Sequence, residues 1–194
     1  SGGFLLYALD KVRRQADKMA VDGYFDKATP IGHAKWHKHW HDFASSNLFG
    51  IEINEQIART AKMNMIIHDD GHTNVIASDG LLRAEVMQEK TDNKGFEYGT
   101  FDYIITNPPF GSSVKQTEKA YLHQYSLGNK DVSWLDTKNS AVKGRANQST
   151  EVLFIEQCHN FLAENGFLAV VIPDGILTNS SLQYVRDNIE EWYK

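Results

Sequence analysis

The chain has 194 residues, 41% of them hydrophobic and 23% charged, enough for a sizeable core in a single domain. A net charge of −5 argues against a surface that grips nucleic acid along most of its extent, and no apolar run reaches the ~20 residues of a membrane span. One cysteine, Cys158, excludes an internal disulfide and suits a reducing compartment, so a cytoplasmic location is expected.

In "SGGFLLYALDKVRRQADKM" the pair Gly2–Gly3 leads into apolar residues at helical spacing (Phe4, Leu5, Ala8, Leu9, Val12, Ala16), which predicts a helix over 4–19. Residues 21–46 hold Gly, Pro and a histidine cluster and read as an irregular insertion with one short helix. "NLFGIEIN" (47–54) predicts a strand, and 55–68 a helix capped by Asn54. "VIASDG" (75–80) predicts the next strand, and residues 81–100 are weakly helical, then turn-like.

"FDYIITNPPF" (101–110) joins a β-branched and aromatic run, expected as a fully buried strand, to two prolines. Pro108 and Pro109 have no N–H to donate, so the strand must stop at Asn107. Residues 111–149 form a long polar stretch with six basic residues against three acidic, +3 where the rest of the chain carries −8, expected as a mobile basic loop. Ser149 or Thr150 caps a predicted helix over 151–165 that ends at Gly166; "FLAVVIP" (167–173) predicts a second buried strand. The last predicted helix, 180–194, places Leu182, Val185, Ile189 and Trp192 on one face.

This alternation predicts an α/β fold: a doubly wound, mostly parallel sheet with helices on both faces. Such sheets bind ligands outside the carboxyl ends of their strands. Gly2 and Gly3, Glu52, Asp79 and Asn107 all fall there. A carboxylate ending a strand can accept from a ribose hydroxyl pair, a second can accept from an adenine amine, and glycine lets backbone approach a ligand. Each feature alone has an ordinary explanation, as a strand-end charge, a turn pair or a structural glycine; their order and placement agree jointly.

"SGGF", "GIEIN", "ASDGL" and "TNPPFG" resemble successive motifs of the S-adenosylmethionine-dependent amino-methyltransferases that act on adenine N6 in DNA. "RTAKMNMIIHDDG" and "NPPFG" are most similar to the modification subunit of type I restriction–modification systems. The resemblance covers nearly the whole chain outside 21–46 and the charged stretch. It implies a Rossmann-like methyltransferase domain that is incomplete here, beginning after the family's Asp-Pro-x-Cys/Ala-Gly stretch. Glu52 would then hold the ribose of S-adenosylmethionine and Asp79 its adenine amine; Ile53 would pack on the adenine, and Gly2 and Gly3 would approach the methionine portion.

An aryl amine is a poor nucleophile because its lone pair is delocalised into the ring. Two acceptors on its N–H groups, the Asn107 amide oxygen and the Pro108 carbonyl, can aim that lone pair, while Pro109 stiffens the turn. Phe110 would stack on a base swung out of the duplex. The implied partners are double-stranded DNA and separate specificity and restriction subunits, with Lys115, Lys143 and Arg145 as candidate phosphate contacts. Other planar amines, a protein glutamine or an rRNA base, remain open as substrates, as does a non-catalytic domain within a larger assembly.

His33, His37, His39 and His41 cluster in sequence, but no carboxylate–histidine motif accompanies them and no metal site is expected. Trp36 and Trp40 beside them suggest a partly buried or partner-facing segment. Cys158 falls on an apolar helix face and reads as core rather than nucleophile.

Overall fold

The computed structural model describes residues 2–68, 74–115, 122–129 and 145–193, with Lys115 described in its backbone alone. They form a mixed α/β structure with short parallel sheets, divided into two compact units, Ser1–Phe96 and Glu97–Lys194.

The first unit comprises α1 (Gly3–Val21), α2 (Pro30–Asn47), β1 (Gly50–Glu52), α3 (Glu55–Ile67), β2 (Val75–Ala77) and α4 (Ala84–Thr91). β1 and β2 are parallel, with Gly50 opposite Val75 and Glu52 opposite Ala77. Leu9 and Ala16 of α1, Trp40 and Ala44 of α2, Ala61 and Met65 of α3, and Val75 of β2 make one buried cluster. Asn54 caps α3 as its sequence predicts: its side chain accepts from the N–H groups of Gln56 and Ile57.

Residues 21–46 correct the expectation of an irregular segment, since most of them belong to the 18-residue α2. Thr29 accepts from the Gly32 N–H and Pro30 occupies the first helical position, a start signal that the histidines disguise. Trp40 is 2% exposed, so it faces the core and not a partner. Its indole N–H has no acceptor among the described residues; packing holds the ring, and the Arg13 guanidinium lies 4.1 Å over it. Arg13 also donates to the His68 carbonyl at the C-terminus of α3, where a cation is favoured, and so ties α1, α2 and α3 together.

The second unit comprises β3 (Phe101–Thr106), β4 (Ser113–Lys115), β5 (Asn147–Ser149), α5 (Thr150–Phe161), β6 (Leu162–Val170), α6 (Asp174–Thr178) and α7 (Gln183–Trp192), with 3-10 turns at Leu122–Gln124 and Ser126–Gly128. β3 and β6 are parallel, and β4 and β5 antiparallel. Val152 and Ile155 of α5, Ile176 of α6, Val185 of α7 and Leu127 form its core. Leu182, Ile189 and Trp192 pack against this core, so the predicted face of the last helix is the one that packs.

β3 and β6 are not fully buried as expected. Ile104 and Thr106 turn inward, whereas Tyr103 (71% exposed) and Phe167 (66%) turn outward and stack at 5.5 Å. From Tyr103 to Thr106 exposed and half-buried side chains alternate, as on a strand covered on one face. The helix expected to reach residue 165 ends at Phe161, because Gly99 and Thr100 donate to the carbonyls of Asn160 and Phe161. β6 therefore starts at Leu162, opposite Phe101; Phe167 lies opposite Tyr103, and the intervening residues bulge with Asn165 at φ 64°. Within the expected loop 111–149, the antiparallel β4–β5 pair and the two turns are regular structure.

Replacing Arg13 by alanine removes one hydrogen bond and the stack on Trp40, and should lower stability by about 1–3 kcal/mol. Lysine, which keeps the charge without the planar fork, should fall between. Urea unfolding followed by tryptophan fluorescence measures both; an unchanged midpoint for the alanine variant would refute the tie.

Candidate functional site

In the first unit the β1–β2 register brings two predicted acids to one edge. Glu52 ends β1, the Ser78 N–H donates to its carbonyl at 3.0 Å, and Asp79 follows directly. Each carboxylate is oriented by its own turn: Glu52 Oε1 accepts from the Asn54 N–H at 2.9 Å, and Asp79 Oδ1 from the Leu81 N–H at 3.0 Å. Between them the Ser78 hydroxyl is buried with no partner among the described residues. Ile53 is exposed beside Glu52.

Gly2 is the N-cap of α1 with φ 76°, a conformation that favours glycine, and a Cβ there would lie 3.1 Å from that of Ala61. No side chain caps this helix and no acid lies in its first turn, so its N-terminal N–H groups and positive dipole end suit an anionic group. A Cβ on Gly3 would meet nothing within 4 Å.

In the second unit the strand stops where its prolines require. The Val171 N–H closes the ladder on the Thr106 carbonyl at 3.1 Å, and Asn107 comes next, exposed, its side chain without a hydrogen bond among the described residues. Pro108 is buried; Pro109 and Phe110 are exposed. Beyond Gly111, the Ser112 carbonyl accepts from both the N–H (3.0 Å) and the hydroxyl (2.9 Å) of Thr150. The segment 107–112 is thus strung between two hydrogen-bonded ends with an amide and an aromatic ring on its outer side.

Arg145 is committed within this unit. Its N–H donates to the Gly128 carbonyl, its Nε to the Asn129 carbonyl, and its guanidinium lies 4.1 Å over the Tyr184 ring. Lys143 and the Lys115 side chain lie outside the described residues. Glu156, 7% exposed, was passed over in the sequence: its oxygens accept from the N–H groups of Ser126 and Leu127, and Gln148 donates to the Leu127 carbonyl. The available signal was a carboxylate inside the apolar run "LFIEQC".

His37 and His41 stack at 5.5 Å on α2, and no group of three metal-ligating side chains occurs among the described residues. Cys158 is buried, and desolvation pushes its thiol up to about 12, which rules out a thiolate nucleophile near neutrality. In the native state it should resist iodoacetamide at about pH 8 and react on unfolding. An unfolded thiol ionises above 9.0 while the folded one keeps its proton to about 12, so alkali through this window should favour the unfolded chain. Native-state labelling as fast as that of a free thiol would contradict this.

Comparison with known proteins bears on the family. A region of 131 residues, 66% of the chain, is 29% identical to the type I restriction enzyme MpnII methylase subunit of Mycoplasma pneumoniae. The aligned part spans 22% of that relative's length. The family model for N-6 DNA methylases matches residues 1–190, which include the glycine pair, both strand-end acids and the Asn-Pro-Pro-Phe loop. The chain belongs to the N-6 DNA methylase family.

Proposed function

We propose that this chain carries the methyl-transferring centre of a DNA adenine-N6 methyltransferase that uses S-adenosylmethionine. In this reading it acts as the modification subunit of a restriction–modification system with separate specificity and restriction subunits, within a doubly wound, Rossmann-like domain. The observation that carries the reading is the exposed Asn107 amide at the tip of a hydrogen-bonded strand, on a loop held at both ends.

The residues of the first unit fit the cofactor. The uncapped start of α1 behind Gly2–Gly3 suits a carboxylate, Glu52 a ribose hydroxyl pair and Asp79 an amine, with exposed Ile53 as an apolar platform. The unpartnered Ser78 hydroxyl is a further polar group at this edge. S-adenosylmethionine, when bound, supplies an electrophilic methyl on a sulfonium.

Asn107 Oδ1 and the Pro108 carbonyl accept from the two N–H bonds of the adenine amine, turning its lone pair out of the ring. Neither group is a base, and none is needed: the methylated amine is acidic enough to lose its proton to water. Phe110, half-exposed, stacks on the extruded base. Lys115 and Lys143 remain the candidate phosphate contacts, and the packing of Arg145 on Tyr184 supports a structural share for that cation.

The test is mass spectrometry of DNA treated with the full-length protein, its co-purifying subunits and S-adenosylmethionine. N6-methyladenine is the expected product; a methylated protein or RNA without it would overturn the reading. Asn107→Ala should slow transfer by about 100-fold or more with cofactor affinity retained. Glu52→Ala should instead weaken cofactor binding by about 10- to 100-fold, measured by calorimetry.

A further inference from the structure

The stiffness of the Asn107 loop has an unequal origin along its length. Pro108 and Pro109 have φ fixed by their rings, and the Thr106 carbonyl is held by the Val171 N–H. Past Pro109 these restraints end. Gly111 sits at φ 72°, a conformation that glycine adopts freely, and nothing lies within 4 Å of where its Cβ would be, so no neighbour braces it on that side. Phe110, placed between Pro109 and this hinge, would be the least constrained member of the loop.

A restraint beyond Gly111 compensates. Thr150 is 8% exposed and is the first residue of α5, a position whose N–H has no intrahelical acceptor. That N–H and the Thr150 hydroxyl converge on the Ser112 carbonyl at 3.0 and 2.9 Å, occupying both of its lone pairs. The Ser113–Ser149 pairing of β4 with β5 aligns the two segments for this capture. We infer that Thr150 is a positioning residue for methyl transfer: its hydroxyl locks the Ser112 carbonyl, and through it the Phe110–Gly111 end of the loop.

The inference rests on the proposed reaction and extends it to a side chain that never touches the substrate amine. Thr150→Val keeps the shape and the N–H but removes the hydroxyl donor. Thr150→Ser restores that donor without the methyl group.

The experiment is single-turnover methyl transfer by the full-length protein with its co-purifying subunits, using labelled S-adenosylmethionine and phage DNA from a host without adenine methylation. Thr150→Val should transfer about 3- to 10-fold more slowly, the effect of one hydrogen bond, with cofactor affinity unchanged and Thr150→Ser restored to near the wild-type rate. Its melting temperature should stay within about 4 °C of wild type. A wild-type rate for Thr150→Val, or a Thr150→Ser variant as slow as the valine, overturns the inference. Should the valine variant not fold, Thr150→Ala takes its place, and collapse of both overturns it too, because the hydroxyl then holds the fold and not the loop. Absence of N6-methyladenine with the wild-type complex is a separate result, which removes the proposed reaction and this inference with it.

Discussion

The hydrogen bond from the Val171 N–H to the Thr106 carbonyl is the point on which the Asn107 loop depends. It is the last rung between β3 and the chain leaving β6, and beyond it proline makes further pairing impossible. A parallel ladder is a stiff object, whereas a loop is ordinarily not. Because the ladder runs to the residue before Asn107, the amide starts from a fixed base; because Ser112 is captured by α5, the far end is fixed as well. The polar groups between can then be exposed without being slack, which is what catalysis by positioning requires.

A parallel pair does a second job in the first unit. Pairing Glu52 with Ala77 brings the ends of β1 and β2 level, so the acids of "GIEIN" and "ASDG" reach one edge although 26 residues of chain separate them. Their turns then orient them, each carboxylate taking a main-chain N–H two residues on. Held this way, the acids lose little freedom when a ligand arrives, and the bare start of α1 adds a positive helix end to the same unit.

Much of this was legible in the amino-acid sequence because it rests on local chemistry. Asn54 could be read as a cap, Pro108–Pro109 as a strand stop, and Leu182–Trp192 as a packing face, since each is decided by a few neighbouring residues. The failures arose where distant partners decide. The end of α5 is set by Gly99 and Thr100, some sixty residues earlier in the chain, and no periodicity within "NFLAEN" reports that. The exposure of Tyr103 and Phe167 depends on what covers each face of the strands, and an apolar run looks the same whether covered on one face or two. In α2 the Thr29–Pro30 start was present, but four histidines and two tryptophans blurred the apolar stripe behind it. The hydrogen bonds of Thr150 and Glu156 needed coordinates, because a threonine opening a helix reads as a cap and a glutamate inside one reads as solvated.

Amide hydrogen exchange in the full-length protein tests the central claim, a loop held at both ends, most directly. The account predicts that the N–H groups of Val171 and Thr150 are protected as strongly as those of the β3–β6 ladder, with Gly111 exchanging fast between them. Val171 and Thr150 exchanging as fast as Gly111 would mean that neither anchor holds, and that the Asn107 amide is not positioned by the fold.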